Sequence, residues 1–570
     1  MIICGLKLTH DGAIALLDDN ELIFSIEMEK IDNNLRYTEI LDTSIIENVL
    51  NDAGYSISDI DFFAIDGWGG TDQDSLALLP RLEISKDFNY LTAENHGEKY
   101  KLGVATYKEN NIKDNILQEL KFEGLKIGDN TVPYSSFLHV TGHLLSAYLT
   151  SEFYKNGESS YVLVWDGGMY PGLYYFDYNT KQIQNLGPIF LLIGNIYTIF
   201  SQHFGPFKVN GSFASDSLSI AGKVMAYIAL GQVRKELFSI FDEIIESFYD
   251  KPMGLANTLA REFINHSSRQ LYSDEDILCT FHFYIEKLLI TKLKKKIERV
   301  DFNNRNLCIA GGCALNIKWN SAIRECGFFD GVYVPPFPND SGSAIGVACA
   351  KLLSEVEVDN FKWTVYSGPE VKQSSIPEGW ISRSFSIREL ASLLHETGEP
   401  VVFLNQKAEL GPRALGNRSI IESPKSHNAK SILNHVKDRE SYRPISPICL
   451  EDKAMLYFDP GTKDPFMLFD HMVRPAYKEI IPAVMHLDGS ARLQTINLKD
   501  NSVIHELLTE FERISGLPIL CNTSANYKGS GFFPDVFSAT TWGRVNYVWN
   551  NNELFEKVDK IKFATNYESK

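Results

Sequence analysis

The sequence carries one structural pattern twice: a strand, an acidic turn containing glycine, and a second strand. In the first copy, the turn THDG (residues 9–12) separates two apolar runs within residues 2–17. In the second copy, WDGG (residues 165–168) separates two further runs within residues 161–176. Turn-forming residues between short apolar runs predict β-hairpins. Two such hairpins predict a duplicated α/β fold whose cleft lies between its halves.

The segments after these hairpins divide the chain into two parts. Apolar residues recur with helical spacing at 43–53, 114–120 and 276–299, and the last of these predicts a long amphipathic helix. A buried strand is expected at 307–310. Near 358–377 the pattern weakens into polar residues with glycine and proline, which is typical of a linker.

This linker predicts one domain at residues 1–365 and a second at residues 366–570. In the second domain, buried strands are expected at 400–404 and 517–520, with loop-rich sequence between them. The predicted fold class is therefore α/β, with two unequal domains.

The composition restricts the functional classes. The chain has 570 residues, and 55 basic against 73 acidic side chains give a net charge of −18, which repels nucleic acid and anionic membranes. Its eight cysteines form no CxxC pair, which argues against a disulfide scaffold and a cysteine zinc site. Neither a run of eighteen apolar residues nor a secretion signal is present, so we expect a cytoplasmic enzyme without membrane or nucleic-acid partners.

One window departs from the acidic balance. Between residues 405 and 445, eight Lys or Arg stand against four Asp or Glu. The arginines alternate with glycine and proline, which disfavour helix and suit loops that hold an anion. A solvated helix face is the alternative interpretation.

Two histidines four residues apart occur in HVTGH (residues 139–143). On a helix, His139 and His143 share one face and can bind one ion, although one core and one surface histidine would give the same spacing. Two imidazoles favour zinc, iron or another borderline metal over magnesium. Asp166 in WDGG and Asp340 in NDSGS are available as further ligands, and a metal with an open position could polarise a carbonyl group.

A glycine pair lies in AGGCALN (residues 310–316), between a buried strand and a predicted helix. Gly311 and Gly312 would let a nucleotide approach the backbone and the helix N-terminus. Tight packing between a strand and a helix explains the pair almost as well. Lys223 could contact phosphate or could lie on a helix surface.

Cations and short polar side chains concentrate in three motifs of the second part. ELGPRALGNRS (residues 409–419) and KDRESYRP (residues 437–444) together hold four arginines and a lysine, which suit a triphosphate beside a second phosphorylated substrate. CNTSAN (residues 521–526) follows a predicted strand, and ligands of α/β folds bind at strand ends. A plain Asx or Ser/Thr turn is the alternative for this motif.

These motifs, taken together, resemble the nodulation-protein and cephem-type carbamoyltransferase family. The resemblance covers nearly the whole chain through LTHDGA, HVTGH, GKVM, GGCALN, PPFPNDSGSAIG, ELGPRALGNRSI, KDRESYRPISP and LCNTSANYKG, in that order. GGCALN and GPRALGNRS are highly specific in this order. The resemblance implies an actin-like domain of the sugar-kinase superfamily at 1–365, fused to a YrdC-like domain at 366–570.

The resemblance also implies a two-step reaction. The YrdC-like domain would condense carbamoyl phosphate with ATP, in the presence of Mg²⁺, to give carbamoyl adenylate and pyrophosphate. The actin-like domain would then transfer the carbamoyl group to a hydroxyl of a sugar or natural-product acceptor, with a divalent transition metal at its histidines. Fe²⁺ is the first choice, Zn²⁺ and Mn²⁺ remain open, and a homodimer is one open assembly state.

The resemblance assigns roles residue by residue. The implied metal ligands are His139, His143, Asp166 and Asp340. The implied catalytic residues are His10, as general base or orienting group, and Asp11. The implied adenylate-binding residues are Gly167, Gly168, Lys223, Gly311, Gly312 and Asn316. The implied contacts to ATP and carbamoyl phosphate are Arg413, Arg418, Lys437, Arg439, Arg443, Asn522 and Ser524.

The acceptor cannot be identified from the sequence, because the expected acceptor-facing stretch at 195–213 has no readable family pattern. Two other enzyme classes stay open: a sugar-kinase-superfamily phosphotransferase and a tRNA threonylcarbamoyl-type transferase. The first would leave the arginine-rich second domain unexplained, and the acidic surface and the attached second domain disfavour the second. A metal- and nucleotide-binding regulatory module without turnover is the non-enzymatic alternative.

Overall fold

The computed structural model describes residues 1–40, 42–67, 70, 71, 78, 79, 83, 84, 91–95, 98–100, 115–208, 217–249, 254–300, 302 and 304–563. Residue 114 of the predicted helix and residues 209–213 of the acceptor-facing stretch lie outside these ranges. Within them, no helix combines the length and the apolar character needed to span a membrane. All eight cysteines are free thiols.

The first half of the N-terminal part is built on a six-stranded sheet. Its elements are β1 (Ile2–Lys7), β2 (Ala13–Asp18), β3 (Glu21–Glu27), α1 (Ser44–Asp52), β4 (Phe62–Asp66), β5 (Gly70–Thr71), β6 (Leu78–Leu79), β7 (Glu83–Ile84), β8 (Leu91–Asn95), β9 (Glu98–Tyr100), β10 (Leu120–Ile127), β11 (Asn130–Phe137) and α2 (His139–Leu149). The strand order is β10-β11-β4-β1-β2-β3. β1 pairs antiparallel with β2 and parallel with β4, so the predicted first hairpin is confirmed.

The second half is built on a five-stranded sheet. Its elements are α3 (Glu152–Lys155), β12 (Ser160–Val164), β13 (Gly172–Asp177), β14 (Gln182–Pro188), α4 (Ile196–Ser201), α5 (Ser217–Tyr227), α6 (Leu237–Ser247), α7 (Leu255–Asn265), α8 (Asp274–Ile297), β15 (Asn306–Ala310), α9 (Ile317–Glu325), β16 (Gly331–Tyr333) and α10 (Ser343–Glu355). The order β14-β13-β12-β15-β16 repeats the order β3-β2-β1-β4-β11 of the first sheet. In both, the central strand pairs antiparallel with the strand that follows it and parallel with the next one along. This repeat confirms the predicted duplicated α/β fold.

Helices α2 and α10 lie between the two sheets and cross each other. α10 packs on β1, β2 and β4 of the first sheet, whereas α2 packs on β12 and β15 of the second. Every residue of α2 is buried, as expected for a helix that is covered on all sides. A Cβ at Gly346 would lie 1.8 Å from the carbonyl oxygen of Gly142, so the crossing requires glycine in α10.

Replacing Gly346 with alanine is therefore expected to push the two helices apart. Overpacking of a buried contact costs about 1–3 kcal/mol, and the shift would also displace the histidines of α2. We expect a lower melting temperature and weaker metal binding, measured by calorimetry and by metal titration. Gly254→Ala is the control, because a Cβ at Gly254 meets nothing within 4 Å. Equal melting temperatures for the two variants would contradict this view of the crossing.

Helices α4–α8 pack on the second sheet and share one apolar core with it. The predicted long helix is confirmed as α8, which begins after the N-cap Ser273 and carries three acidic residues in its first turn and three lysines in its last. Its burial changes along its length, however. Residues 277–282 are buried on all sides, and only the later turns show one buried and one exposed face.

The C-terminal part contains an eight-stranded mixed sheet. Its elements are β17 (Trp380–Ser384), α11 (Ile387–Thr397), β18 (Val401–Leu404), β19 (Arg418–Glu422), α12 (Ala429–Val436), β20 (Ser446–Leu450), α13 (Ala454–Tyr457), β21 (Phe458–Asp459), β22 (His471–Val473), β23 (Ser490–Ala491), β24 (Gln494–Ile496), α14 (Ser502–Ser515), β25 (Ile519–Ser524), α15 (Val536–Trp542), β26 (Tyr547–Asn550) and β27 (Glu553–Lys557). The strand order is β17-β27-β26-β18-β19-β25-β20-β24. α11 begins with a capping box from Ser386 to Glu389 and ends at the left-handed Gly398.

Two predictions about local structure are corrected by the fold. Of the segment predicted as a helix at 114–120, the described residues 115–119 form a turn that leads into β10, and the Asn115 side chain accepts the backbone N–H of Leu117 within this turn. The sequence between β18 and β25 is also more ordered than predicted. β19 was missed because it begins with Arg418 and ends with Glu422, two charged residues that are nevertheless buried.

The two parts are joined by more than the linker. The backbone N–H of Ser25 in β3 donates to the carbonyl of Ser367 in the linker. Lys30 is 1% exposed, and its Nζ donates to Glu27 Oε1 at 2.7 Å and to the backbone carbonyls of Glu409 and Gly411 at 2.6 and 2.9 Å. The loop that carries Gly411, Pro412 and Arg413 (the GPR loop) is therefore fixed against the N-terminal part. The division at residue 365 stays a prediction.

Candidate functional site: a metal centre and an arginine-lined pocket

Side chains from the duplicated strands meet where the parallel strands end. Lys7 is the last residue of β1, and Asp66 is the last residue of β4. Asp166 follows β12 by two residues, and Asp340 lies in the short 3-10 turn before α10. Because β1 and β12 occupy equivalent places in the two sheets, the cleft between the halves collects these groups.

His139, His143, Asp166 and Asp340 form one cluster whose ligand atoms all lie within 4.8 Å of one another. The Nε2 atoms of the two histidines are 3.1 Å apart. Asp340 Oδ1 lies 3.4 and 3.3 Å from these two nitrogens, and the Asp166 carboxylate oxygens lie 3.9 and 4.0 Å from them. Ligands at about 2.0–2.2 Å from a divalent ion are roughly 3–3.6 Å apart. The two Nε2 atoms and Asp340 Oδ1 have this spacing, and the Asp166 carboxylate lies slightly farther out as the fourth donor.

Asp66 and Lys7 support this cluster from behind, and sequence reasoning missed both. The Asp66 carboxylate lies 3.1 and 2.9 Å from Nδ1 of His139, which orients Nε2 towards the cluster. Lys7 Nζ lies 2.8 Å from Asp66 and 3.0 Å from Asp340 Oδ2. Their roles depend on the parallel pairing of β1 with β4, which brings the two strand ends together.

The electrostatics of the cluster favour an ionised carboxylate at its centre. Burial would raise the pKa of Asp340, but Lys7, His139 and His10 outweigh it and hold that pKa well below its ordinary value. Burial would lower the pKa of His139, but Asp66 and Asp340 outweigh it and raise the pKa. A cation that binds here competes with a proton for His139, and ionised carboxylates attract it.

Replacing Asp66 with asparagine is expected to weaken metal binding at this cluster by roughly 10- to 100-fold, the usual effect of losing a partner that orients a metal ligand. The amide keeps the volume of the carboxylate but loses its charge against His139 and Lys7. Competition with a chelator of known affinity measures the change. Asp61→Asn, at the exposed end next to β4, is the control, and equal affinities in the two variants would contradict the role of Asp66.

His10 and Asp11 lie at the rim of the same cluster. His10 Nε2 is 3.0 Å from Asp340 Oδ2, and 48% of the His10 side chain is exposed. Asp11 has a left-handed backbone, with φ of 57°. Burial, followed by the charge of Asp340, raises the pKa of Asp11 to about 7. The two predicted catalytic residues are therefore brought beside the predicted metal ligands, and His10 faces the opening.

Gly311 and Gly312 lie beside Trp165 and Asp166 at the cleft. Gly311 has φ of 89°, and a Cβ there would lie 2.4 Å from the backbone of Trp165. The N–H of Gly312 donates to Asp166 Oδ1 at 2.6 Å. The close approach of the Trp165 backbone therefore requires glycine at position 311, and Gly312 fixes Asp166.

The other residues predicted to bind adenylate occupy different positions. Gly167 and Gly168 follow Asp166 directly, and a Cβ at Gly168 would meet nothing within 4 Å. Asn316 caps α9 by accepting the backbone N–H of Trp319. Lys223 lies on α5 at the side, 3.8 Å from Glu440.

A second concave site lies between the N-terminal and C-terminal parts. Its lining combines residues of α5 and α9 with the GPR loop, the segment after α12, the turn before β24 and the end of β25. Five arginines line it, and Asp470 is the one carboxylate among the described residues of its lining. The arginines are Arg36, Arg413, Arg439, Arg443 and Arg492.

Five of the seven residues predicted to bind ATP and carbamoyl phosphate line this pocket. They are Arg413, Arg439, Arg443, Asn522 and Ser524. The guanidinium of Arg439 donates to Thr523 Oγ1 at 3.1 Å and to Ser524 Oγ at 3.3 Å. Asn522 Nδ2 donates to the carbonyl of Ala414 at 3.0 Å, and its Oδ1 is buried without a hydrogen-bond partner in the part of the chain that the structure describes.

Arg418 and Lys437 lie outside the pocket lining and are buried behind it. The guanidinium of Arg418 is 1% exposed and donates to four backbone carbonyls, including those of Asn405 at 2.8 Å and Pro369 at 3.0 Å. Lys437 Nζ donates to the carbonyls of Ser524 and Asn526 at 2.7 Å each. Lys437 therefore stabilises the end of β25 that lines the pocket, whereas Arg418 stabilises backbone that lies outside the lining.

Arg36 and Arg492 are pocket residues that the sequence reasoning missed. Arg36 belongs to the N-terminal part, and Arg492 precedes β24, so neither lies in the basic window. A single arginine outside a basic window does not stand out in the sequence as an anion-binding residue.

The pocket arginines repel one another in the absence of an anion. Burial, followed by Arg443 and Arg36, lowers the pKa of Arg439 to about 9. Burial, followed by Arg36 and Arg443, lowers the pKa of Arg413 to about 10. The Nε of Arg413 is buried without a partner in the described part of the chain. Such a cluster is complementary to a polyanion such as a di- or triphosphate.

Comparison with known proteins assigns this chain to a described family. Residues 2–349 match the family described as Carbamoyltransferase N-terminus, and residues 391–554 match Carbamoyltransferase C-terminus. The chain belongs to the carbamoyltransferase family, as predicted, and it is an enzyme of that class.

Two relatives and one solved structure illustrate its position. Nodulation protein U of Rhizobium tropici is 46% identical over 575 residues, which cover 98% of this chain and 96% of that protein. The 3'-hydroxymethylcephem-O-carbamoyltransferase of Streptomyces clavuligerus is 30% identical over 541 residues, which cover 93% of this chain and 94% of that protein. The activator of the 2-hydroxyisocaproyl-CoA dehydratase from Clostridium difficile with bound ADPNP covers 63% of this chain and 99% of its own, at 13% identity and a TM-score of 0.31, too distant for a functional inference.

Proposed function

We propose that this protein is an ATP-dependent O-carbamoyltransferase with two reaction sites. The arginine-lined pocket would form carbamoyl adenylate, and the metal centre would transfer its carbamoyl group to a hydroxyl of a sugar or natural product. The observation that carries the proposal is the presence, in one chain of this family, of a pocket with five arginines and a His₂Asp₂ cluster in a separate cleft.

The proposed formation of carbamoyl adenylate consumes one water molecule. Carbamoyl phosphate, ATP and water would give carbamoyl adenylate, pyrophosphate and phosphate. The arginines would bind the phosphate groups bidentately, with Mg²⁺ on the triphosphate, while Lys437 would hold the end of β25 and Arg418 would hold backbone outside the lining. A YrdC-like assignment of the C-terminal domain belongs to this proposal.

The second step would use the residues around the metal centre. His139, His143, Asp166 and Asp340 would hold a divalent transition metal, Fe²⁺ by preference and Zn²⁺ or Mn²⁺ as alternatives, and that ion would polarise the carbamoyl carbonyl. His10, at the rim beside Asp340, would accept the proton of the acceptor hydroxyl, and Asp11 would support it. Gly167, Gly168, Lys223, Gly311, Gly312 and Asn316 would surround the adenylate.

The segment 28–37 would separate the two sites. Tyr37 lies close enough to both Asp11 and Arg413 for the two charges to act on its phenol. Burial raises the pKa of Tyr37, so its hydroxyl stays neutral between the metal centre and the arginine pocket. An acyl adenylate reacts with water. A short, enclosed path from the arginine pocket to the metal centre would protect this intermediate from hydrolysis.

The test is pyrophosphate exchange into ATP, with and without carbamoyl phosphate, at millimolar magnesium. It requires no knowledge of the acceptor. We expect exchange that depends on carbamoyl phosphate. Folded, metal-loaded protein that catalyses no exchange under either condition would contradict adenylate formation and would favour a kinase or a regulatory nucleotide-binding protein.

A further inference from the structure

The turn at residues 486–490 places a histidine with one free nitrogen in the arginine-lined pocket. His486 lines the pocket together with Ser490, and its side chain is only 5% exposed. Its Nε2 is buried and has no hydrogen-bond partner in the described part of the chain. A buried polar atom without a partner costs free energy unless a ligand satisfies it.

The other nitrogen of this ring is held firmly. Nδ1 of His486 lies 3.1 Å from Asp488 Oδ1, which also accepts the N–H of Ser490 at 3.0 Å and its hydroxyl at 2.7 Å. The backbone closes the same turn, because the N–H of His486 donates to the carbonyl of Ser490 at 2.7 Å. The ring orientation is therefore fixed before any ligand binds.

The charge of Asp488 fixes the hydrogen-bonding role of Nδ1 of His486. Burial would raise the pKa of Asp488, but His486 and Lys318 outweigh it and hold that pKa well below its ordinary value. An ionised carboxylate can only accept, so Nδ1 of His486 must donate to it. Nε2 is then the nitrogen that remains for a ligand.

The turn is also tied to the N-terminal part of the chain. Lys318 Nζ, on α9, lies 2.7 Å from Asp488 Oδ2 and 2.8 Å from Asp470 Oδ2. α9 begins at the end of the glycine turn that fixes Asp166. The position of His486 is therefore set by both parts of the molecule that form the pocket.

We propose that His486 binds a phosphate group of the pocket ligand through Nε2–H. This rests on the proposed anion-binding function of the pocket. With Asp488 at Nδ1 and a phosphate oxygen at Nε2, each ring nitrogen would have an acceptor. His486 adds a donor with a fixed direction to the five arginines, whose long side chains are more adaptable.

Two substitutions separate this contact from a role in the turn. The amide of glutamine reaches the position of Nε2, whereas the amide of asparagine reaches the position of Nδ1. The probe is inorganic pyrophosphate, titrated calorimetrically into the full chain at millimolar magnesium. We expect His486→Asn to weaken binding about tenfold or more and His486→Gln to stay within about threefold of the wild type.

The pattern of the two variants decides the outcome. Unchanged binding in His486→Asn, or equal loss in both variants, would overturn the Nε2 contact and leave His486 a structural residue of the turn. A wild-type protein that does not bind pyrophosphate would overturn the proposed function of the whole pocket as well. Melting temperatures of the three proteins show whether a loss of binding follows a loss of folding.

Discussion

Replacing His143 with alanine is expected to weaken divalent-metal binding by at least about 100-fold, and so to remove the ion during purification. The change deletes one of four donors, and the remaining Nε2 of His139 and carboxylates of Asp166 and Asp340 form an incomplete set. Loss of a residue that only orients a ligand already costs 10- to 100-fold, and loss of a ligand itself should cost more. Metal content by plasma mass spectrometry and chelator competition measure the effect.

The same variant should keep pyrophosphate exchange within about twofold of the wild type, because the arginine pocket shares no residue with the metal cluster. His282→Ala is the matched control. His143 and His282 are both fully buried on helices, but His282 pairs with the hydroxyl of Tyr197 instead. The control should lose stability and keep its metal. Full metal content in His143→Ala would contradict the assignment of the centre.

Replacing Arg413 with alanine is expected to lower pyrophosphate exchange by at least about 100-fold. A charge-assisted hydrogen bond contributes about 1.5–3 kcal/mol, so the loss of a bidentate contact amounts to two or more decades. The folded state should not suffer, since Arg413 Nε has no partner in the described part of the chain and Arg36 and Arg443 repel the guanidinium. The melting temperature should stay the same or rise.

The combination of lower activity and unchanged stability distinguishes a functional cation from a structural one. Arg388→Ala is the matched control: its side chain is 72% exposed on α11, and we expect neither exchange nor melting to change. Arg418→Ala should behave in the opposite way, because it removes the guanidinium hydrogen bonds to four backbone carbonyls and should lower the melting temperature. An Arg413→Ala protein with wild-type exchange would contradict the role of the pocket.

The sequence predicted the fold where its patterns are local. The two hairpins follow from apolar runs and turn residues, and their repetition predicted the duplicated fold. The spacing of His139 and His143 placed both on one helix face because helical geometry alone decides it. By contrast, β19 escaped prediction because its two terminal charges are buried by contacts from distant parts of the chain.

The candidate sites were predictable to a different extent. The metal cluster could be assembled from motifs, because each ligand lies in a recognisable turn or helix. Lys7 and Asp66 could not, since their importance depends on two parallel strands that end side by side. The basic window predicted an anion-binding pocket but not which residues line it. Arg418 lies in the window but binds backbone carbonyls, whereas Arg36 lies far outside the window and lines the pocket.

The most direct test of the account follows the fate of ATP and of a labelled carbamoyl group in a single turnover. The protein is mixed with ATP, magnesium and ¹⁴C-labelled carbamoyl phosphate, quenched, and the products are separated. We expect pyrophosphate to be released and the label to appear in carbamoyl adenylate, and His143→Ala to form this product as the wild type does. Formation of ADP with the label left in carbamoyl phosphate would contradict the two-site carbamoyl-transfer account and indicate phosphoryl transfer instead.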